Sequence, residues 1–289
     1  MSTSRRIALL QPRIPDGNYL PNLGIMYLAG VLLREGYDVR VFDENIDDDI
    51  EQAIAGFAPT VLGATCVTAA LGPACRMARR LKDRLPDLTV VVGGPHISAV
   101  PAETLEKNDV VDYGFVGEAE RSFSDFCRFI TGAPDERGTV GDVAGLVYRR
   151  DGKVVSNRAA EFLSNDELDA LPYPPWHLLP MERIFKQATH GLFTRGKRIM
   201  PVMTTRGCPN YCTFCSRVMG FNFRCRSVEN VIGEIQWLYD TYRIDEIYFE
   251  DDTFTQDSVR AHELLDAIID LNLGIYIKFA NGLRADKVD

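Results

Sequence analysis

Short apolar runs alternate with amphipathic segments through the first part of this chain. The runs are rich in Val, Ile and Leu, as in strands that a sheet buries on both faces, and they fall at residues 7–10, 38–42, 60–67, 89–92 and 113–116. Apolar positions recur at helical spacing over residues 23–35, 49–57, 74–85 and 122–131. Strands alternating with helices predict an α/β fold with a doubly wound parallel sheet, whose ligands bind beyond the carboxyl ends of the strands.

A change of composition marks a connector after this module. Residues 132–145 are rich in Gly, Pro, Asp and Arg, and residues 143–155 predict a hairpin that turns at Asp151 and Gly152. A proline-rich extended segment follows at 168–176. The sequence therefore predicts a first domain over residues 1–132, a connector over 133–197 and a second domain over 198–289.

The alternation of strands and helices resumes in the second domain. Apolar strand patterns occupy residues 199–203, 246–250 and 275–279, and helical patterns occupy 228–242 and 259–271. This predicts a partial (β/α) barrel, whose active face is formed by residues at the carboxyl ends of its strands. The polar residues predicted at that face are Glu250, Asp251, Asp252, Asn281 and Arg284.

Three cysteines follow the first strand of that domain closely. Cys208, Cys212 and Cys215 have the spacing C-x3-C-x2-C, and Gly207 and Pro209 favour an irregular loop. A structural zinc site takes four protein ligands, whereas three thiolates on one loop suit a 4Fe–4S cluster with one iron open to a small molecule. Zinc with the more distant Cys225 as fourth ligand stays an alternative, although no second C-x2-C pair or nearby histidine completes a zinc finger.

Composition and charge narrow the class of protein further. Hydrophobic residues make up 46% and charged residues 25% of the 289 residues, which indicates a soluble enzyme of about two domains. The net charge is −9 with no basic stripe, so direct nucleic-acid binding is not expected. Seven cysteines without disulfide-like spacing, no signal peptide and no long apolar run predict a cytoplasmic protein without a membrane span.

The cysteine spacing, with Phe214 directly before the third cysteine, resembles the signature of radical S-adenosylmethionine (radical SAM) enzymes. The resemblance implies that Cys208, Cys212 and Cys215 hold a 4Fe–4S cluster whose open iron chelates S-adenosylmethionine, with Phe214 at the same site. The acidic run Glu250, Asp251 and Asp252 would suit the ammonium group of S-adenosylmethionine, and Arg284, with Asn281 nearby, its carboxylate. Two alternatives stay open: Asp252 as a cap of the following segment, and Arg284 as a solvated side chain.

The first domain resembles the Rossmann-like cobalamin-binding domain that precedes many radical SAM enzymes. The resemblance lies in residues 23–29, 93–96 with Pro101 after them, and 117–120. It implies that cobalamin contacts the end of the third strand at Thr65 and Val67, and the Gly93–Gly94 pair beside its nucleotide tail. The resemblance also implies that Gly117 and Glu118 belong to the cobalamin site. It implies that His96 either lies in the pocket for the nucleotide tail or caps a helix. From the residues alone, Gly93 and Gly94 fit a ligand approach and a plain turn equally well.

Two departures from the cobalamin-binding pattern are visible. The first loop, residues 11–18, contains no histidine, which by resemblance implies a cobalt without a protein imidazole beneath it. Ala119 stands where relatives usually have glycine, a mild change unless the position requires a positive φ.

The resemblance implies reductive cleavage of S-adenosylmethionine to a 5′-deoxyadenosyl radical, used for methylation of an unactivated carbon. A cobalamin-dependent cyclase or oxidoreductase without methyl transfer, and a catalytically dead cobalamin-binding module, remain alternatives. The expected partners are a small-molecule or peptide substrate and an electron donor of the flavodoxin or ferredoxin type. The second domain accommodates about half of a radical SAM barrel, so we expect either a fragment of a longer protein or a half-barrel that needs a partner.

Overall fold

The computed structural model describes residues 5–14, 20–132, 138–187 and 194–287, so part of the predicted first loop lies outside the described residues. The chain forms two compact units, one of Met1–Gly17, Gly24–Glu161 and Pro174–Leu179, the other of Asn18–Leu23, Phe162–Tyr173 and Pro180–Asp289. Both units are built of strands and helices, and the α/β prediction is confirmed. In the described part of the chain, no helix is both long enough and apolar enough to cross a membrane.

The first unit is built on one seven-stranded sheet. Its strands are β1 (Arg6–Gln11), β2 (Asp38–Asp43), β3 (Val61–Thr65), β4 (Thr89–Gly93), β5 (Tyr113–Phe115), β6 (Leu146–Arg150) and β7 (Lys153–Ser156). Their order in the sheet is β2-β1-β3-β4-β5-β6-β7, with β1 to β5 parallel and the last two strands antiparallel. The carboxyl ends of β3, β4 and β5 therefore lie side by side at one edge.

Side-chain alternation along the strands builds a core on each face of this sheet. Ala8 and Leu10 of β1 belong to one cluster and Ile7 and Leu9 to the other, because successive side chains of a strand point to opposite faces. Helices cover both faces: α1 (Leu23–Arg34), α2 (Ile50–Phe57), α3 (Thr68–Arg84), α4 (Pro95–Ala99), α5 (Pro101–Lys107) and α6 (Glu120–Thr131). Helices α1 and α6 supply buried residues to one cluster and α2, α3, α4 and α5 to the other, which confirms the doubly wound arrangement.

Three local features differ from the sequence-based prediction. Helix α3 begins at Thr68, ahead of Pro73, because Ala70 is buried at its start and packing there outweighs the missing proline amide. The short helices α4 and α5, each opened by a proline, have too few residues for a periodic pattern. The predicted hairpin exists and turns at Asp151 and Gly152, but it extends the sheet of the first unit through pairing of β6 with β5.

The second unit contains a three-stranded parallel sheet. The helices and strands of this unit are α7 (Asn165–Asp169), α8 (Met181–Ile184), β8 (Ile199–Val202), β9 (Thr205–Arg206), β10 (Arg224–Cys225), α9 (Val228–Tyr242), β11 (Glu246–Phe249), α10 (Ser258–Asp270) and β12 (Tyr276–Phe279). The parallel strands lie in the order β12-β11-β8, and β9 pairs with β10 in a separate antiparallel ladder. Ser227 caps α9 and Asp257 caps α10, so both long helices start where side-chain oxygens accept backbone N–H groups.

Candidate functional site

The three cysteines lie on the irregular loop between β9 and β10, and that ladder closes the base of the loop. Thr205 pairs with Cys225 and Arg206 with Arg224, so both ends of the loop are held together. Cys208 is half-buried, while Cys212 and Cys215 are exposed. Because β9 follows β8 directly, the loop starts at the carboxyl end of a strand of the parallel sheet.

Two glycines allow the loop its path. Gly207 has a φ of +81°, and a Cβ there would lie 2.3 Å from the carbonyl oxygen of Asn222. Gly220 has a φ of +76°, and a Cβ there would lie 2.6 Å from the ring of Phe162. A side chain at either position would meet both backbone strain and a steric overlap. The sequence shows why Gly207 breaks regular structure, but the contact with Asn222 becomes visible only in the fold.

Arg224 fastens the returning half of the loop. Its Nη2 donates to the carbonyl oxygen of Met219 at 2.8 Å, its Nη1 donates to that of Leu163 at 3.0 Å, and its guanidinium lies 4.7 Å from the ring centroid of Phe162. Sequence reasoning missed this residue, since nothing distinguishes one arginine from its neighbours before its partners are known.

The first cysteine has an amide donor beside its sulfur, and an arginine holds that amide. Asn210 donates from Nδ2 to the Cys208 sulfur at 3.2 Å, and Arg284 donates from Nη1 to Asn210 Oδ1 at 2.5 Å. The ion pair with Asp286 is the main reason why the pKa of Arg284 is raised, and Cys208 and Cys212 raise it further. Cysteines bind metals through their sulfur atoms, so the guanidinium and the amide donor lie beside the atoms that a metal cluster would use.

The donor set fits an iron–sulfur cluster by its chemistry: three thiols on one loop, a guanidinium and an amide donor beside them. Within the described ranges, no three His, Cys, Asp or Glu side chains already converge closely enough to hold a metal ion. Cys225 lines a different, open pocket of about 590 Å³ with residues of α7, α9 and α10, and burial raises its pKa. The zinc alternative therefore gains no support from the position of Cys225.

The three acidic residues after β11 have three different surroundings. Glu250 is half-buried, and its pKa is raised by burial and by the adjacent Asp251. Asp251 is 3% exposed, and its carboxylate accepts hydrogen bonds from Thr204 and Thr205. Asp252 is exposed, and its Oδ2 accepts the backbone N–H of Gly207 at 3.0 Å. The acidic run thus lies against the start of the cysteine loop. The carboxylate of its buried residue, Asp251, already accepts hydrogen bonds from the protein.

Residues after β12 reach the same edge of the sheet. Asn281 donates from Nδ2 to the carbonyl oxygen of Asp251 at 3.1 Å, which joins the ends of β12 and β11. Arg284 is held by Asp286 at 2.6 Å and by Asn210 of the cysteine loop. Phe214 is 91% exposed beside the third cysteine. The structure therefore brings Arg284, Asn281 and the acidic run to the edge where the cysteine loop begins.

In the first unit, the predicted residues after β3, β4 and β5 share one edge. Gly94 has a φ of +94°, and a Cβ there would lie 2.8 Å from Thr65 Oγ1 and 3.0 Å from the Cys66 nitrogen. Gly93 and Gly117 have open space where a Cβ would stand, and Glu118 is buried. Gly94 is thus required by close packing of two loops, whereas Gly93 leaves room beside the backbone.

Two further positions at this edge concern His96 and Ala119. His96 Nδ1 lies 3.0 Å from Thr68 Oγ1, at the start of α3, and the exposed Val67 precedes that helix. Ala119 has a φ of −124°, so the departure from glycine carries no backbone strain.

Ser98 connects the loops after β4 and β5, and sequence reasoning missed it. Its Oγ donates to the Gly94 carbonyl oxygen at 2.9 Å and accepts the Gly117 N–H at 3.1 Å. In the sequence, the only feature that could have indicated this role is a serine in the short segment after Gly-Gly-Pro-His.

The fold and the site together define a class of protein: a doubly wound module followed by βα units with a three-cysteine loop at the carboxyl edge, which is the arrangement of radical SAM enzymes with a preceding cofactor domain. Residues 14–126 match the family model of the B12 binding domain. These residues belong to the B12 binding domain family, and the chain as a whole is similar to cobalamin-dependent radical SAM enzymes.

Individual relatives agree with this assignment. The chain is 34% identical over 250 residues to an uncharacterized methyltransferase of Pyrococcus horikoshii, covering 84% of this chain and 51% of the relative. It is 28% identical over 298 residues to the anaerobic magnesium-protoporphyrin IX monomethyl ester cyclase of a Synechocystis species, covering 98% and 56%. The chain thus spans about half the length of these curated relatives.

A solved structure shares the fold. The radical S-adenosylmethionine methyltransferase TsrM from Kitasatospora setae, solved with cobalamin and a [4Fe-4S] cluster bound, matches with a TM-score of 0.71 at 18% identity. The match covers 93% of this chain and 53% of TsrM.

Proposed function

We propose that this chain is the cobalamin-binding and cluster-binding part of a radical SAM methyltransferase. The observation that carries the proposal is the loop bearing Cys208, Cys212 and Cys215 at the carboxyl edge of the β12-β11-β8 sheet, beside Arg284. A 4Fe–4S cluster bound there would supply the electron that cleaves S-adenosylmethionine to a 5′-deoxyadenosyl radical, and cobalamin would carry a methyl group to an unactivated carbon.

The chain's own residues would bind and orient these groups. The three cysteines hold the cluster, and Asn210 donates to the Cys208 sulfur. Arg284 pairs with the carboxylate of S-adenosylmethionine by exchanging its exposed partner Asp286, while Glu250 and Asp252 attract the ammonium group. Asn281 and the exposed Phe214 flank this site.

Cobalamin would lie on the edge formed by the ends of β3, β4 and β5. Gly93 and Gly117 leave the backbone open there, and Thr65, Val67, Gly94, His96 and Glu118 border the same edge. The first loop, residues 11–18, would supply no histidine to the cobalt, since it contains none.

The partners follow from the same site. The exposure of Cys212, Cys215 and Phe214 supports reduction of the cluster by an external flavodoxin or ferredoxin, because electron transfer needs close approach. The substrate is a small molecule or a peptide. Seven free thiols support a reducing, cytoplasmic location.

The test is anaerobic reconstitution with iron, sulfide and hydroxocobalamin, followed by counting of iron, cobalt and 5′-deoxyadenosine per chain. We expect about four irons and one cobalt in the wild type, with the iron lost from a Cys208→Ala, Cys212→Ala, Cys215→Ala triple variant. Iron without cobalt would keep the radical SAM assignment and overturn cobalamin binding. Cobalt without iron would favour a cobalamin-binding module.

A cyclase without methyl transfer is the second candidate, favoured by the similarity to the Synechocystis cyclase over nearly the whole chain. S-adenosylhomocysteine formed beside 5′-deoxyadenosine indicates methyl transfer, whereas 5′-deoxyadenosine alone indicates the cyclase type. The intact three-cysteine loop speaks against a catalytically dead module, which needs no cluster ligands.

A further inference from the structure

A buried polar network lies behind the cysteine loop, on the side of helices α9 and α10. At its centre, Asp251 Oδ1 accepts the backbone N–H of Thr204 at 2.6 Å and that of Thr205, and Oδ2 accepts the Thr204 hydroxyl at 3.1 Å. Asp251 is 3% exposed and Thr204 is fully buried. One carboxylate thus holds two successive amides and a hydroxyl just before the loop that carries the cysteines.

Arg260 of α10 approaches Thr204 from the other side. Its Nη1 lies 3.4 Å from Thr204 Oγ1, and its Nη2 donates to the Thr204 carbonyl oxygen at 3.3 Å. The same guanidinium donates to the carbonyl oxygen of Arg226, at 3.1 Å from Nε and 2.8 Å from Nη2. Arg260 therefore fastens both strands of the β9–β10 ladder at the end away from the cysteine loop, since Thr204 precedes β9 and Arg226 follows β10.

A buried ion pair supports this arrangement. Arg226 donates to the carbonyl oxygen of Met203 at 3.1 Å and forms a buried ion pair with Glu234 of α9. This pair adds a guanidinium and a carboxylate to the polar groups buried behind the loop. Removing one partner from such a buried network is strongly destabilising, because it leaves an uncompensated charge.

We propose that Asp251 and Arg260 are positioning residues, which hold the backbone at Thr204 and Thr205 so that the loop presents Cys208 for the cluster. The inference rests on the proposed function, and it differs from direct contact of Asp251 with S-adenosylmethionine. Asp251 influences cluster binding indirectly, because it restricts the motion of the segment that leads to the cysteine ligands. Hydrogen-bond partners of metal-ligating residues act in the same way. Glu250 and Asp252 keep the role of ligand contact.

The test compares Asp251→Asn and Thr204→Val with wild type after anaerobic reconstitution. Thr204→Val keeps the side-chain shape and removes only the hydroxyl contacts with Asp251 and Arg260. We expect iron release to a chelator to be about 10- to 100-fold faster in both variants, as for other partners behind metal ligands. We also expect an altered electron paramagnetic resonance spectrum of the reduced cluster, with an unchanged Kd for S-adenosylmethionine.

Asp266→Asn is the matched control, because Asp266 is an exposed carboxylate of α10 outside the network. It should release iron at the wild-type rate. Direct contact would give the opposite result for Asp251→Asn: wild-type iron release, with the Kd for S-adenosylmethionine raised about tenfold or more by the loss of a charged hydrogen bond. That result would overturn the inference.

Different results would contradict the proposed function and the positioning role. If wild type itself binds no iron, the proposed function is wrong. If wild type binds iron and Thr204→Val releases it at the wild-type rate while remaining folded by circular dichroism, the positioning role is wrong. Should Asp251→Asn fail to fold, Thr204→Val alone decides, because it leaves every charge of the network in place.

Discussion

At the scale of single residues, the site depends on a few positions where backbone conformation and burial leave little choice. Gly94, Gly207 and Gly220 have positive φ values and no room for a Cβ, while Gly93 and Gly117 are open. Asp251 is buried beside two exposed or half-buried acidic neighbours. Neighbouring residues of the same type therefore have different roles, which are separable by substitution.

Gly94→Ala should destabilise the first unit by about 1–3 kcal/mol, because the position has a φ of +94° and a ψ of −170°, a conformation nearly restricted to glycine. The overlap with Thr65 and Cys66 adds to this strain. Gly93→Ala is the control and should be near neutral. Urea unfolding followed at Trp176, which lies in the first unit, measures both; equal effects of the two substitutions would contradict the assignment.

The stability of the second unit should depend on the ionisation of Asp251. Burial raises its pKa from 3.8 to about 6, although hydrogen bonds from Thr204 and Thr205 oppose the shift. Because the folded pKa exceeds the unfolded one, the contribution of this group is full below about pH 4 and is lost as the pH rises through about 6. Relative to Asp251→Asn, wild type should lose up to about 3 kcal/mol of unfolding free energy between pH 4 and pH 7.

Urea unfolding of the iron-free proteins, followed at Trp237 of the second unit, measures this dependence at a series of pH values. Asp252→Asn is the comparison variant, since it removes the exposed carboxyl next to Asp251 in the sequence. Identical slopes in wild type and Asp251→Asn would show that Asp251 does not titrate in this range.

At the scale of elements, short connections between strand ends organise both candidate sites. Ser98 joins the loops after β4 and β5, and Asn281 joins the ends of β11 and β12. On the cysteine loop, Tyr211 stacks on Phe221 with ring centroids 4.6 Å apart, and Arg217 lies over both rings while donating to the Cys212 carbonyl oxygen at 2.9 Å. These contacts preorganise loops that have no regular hydrogen-bond ladder.

Arg217→Gln should loosen the cysteine loop, since it removes two cation–π contacts worth about 0.5–1 kcal/mol each at exposed positions. We expect faster hydrogen exchange of amides 211–221 in the iron-free protein, measured by mass spectrometry. Phe214→Ala is the control, because Phe214 is 91% exposed. Equal exchange in wild type and Arg217→Gln would show that the stacked group does not order the loop.

Replacement of Ser98 by Ala should weaken cobalamin binding, because the Gly94 and Gly117 loops lose their common partner. The lost hydrogen bonds correspond to about 1 kcal/mol, or a several-fold rise in Kd for hydroxocobalamin. Spectrophotometric titration measures it, with Thr104→Val as the control, since the Thr104 hydroxyl donates only within its own helix end. An unchanged Kd would show that Ser98 does not contribute to cobalamin binding.

At the scale of the whole molecule, the two candidate sites belong to different compact units, and each unit contains one of the two tryptophans. Trp176 lies in the first unit and Trp237 in the second. A ligand that binds only the folded state stabilises the unit that holds its site. The chain therefore carries its own reporter for each proposed cofactor.

Fluorine NMR of fluorotryptophan-labelled protein can follow both units during urea unfolding. Hydroxocobalamin at about 100 times its Kd should stabilise the Trp176 signal by about 2.7 kcal/mol, and reconstitution of the cluster should stabilise the Trp237 signal. Trp176→Phe and Trp237→Phe variants assign the resonances. If cobalamin stabilised only the unit reported by the Trp237 signal, the assignment of the cobalamin site to the first unit would be wrong.

Much of this arrangement was predictable from local patterns. The alternation of apolar runs and helical periodicity predicted the doubly wound sheet, because strands buried on both faces need continuous apolar runs. The spacing of Cys208, Cys212 and Cys215 predicted one loop, since the ligands lie within a few residues of each other. The placement of helix α3 across Pro73 was missed, because burial of Ala70 is a tertiary effect.

The sequence by itself determined the α/β class, the position of the cysteine loop after a strand and the set of polar residues at the strand ends, because these depend on local periodicity and spacing. Only the tertiary structure decided which of those residues are buried and which protein groups they contact. Asp251 meets Thr204 across 47 positions and Arg260 meets Thr204 across 56, and such contacts depend on strand register and helix packing. The roles within the acidic run therefore become distinct only in the folded chain.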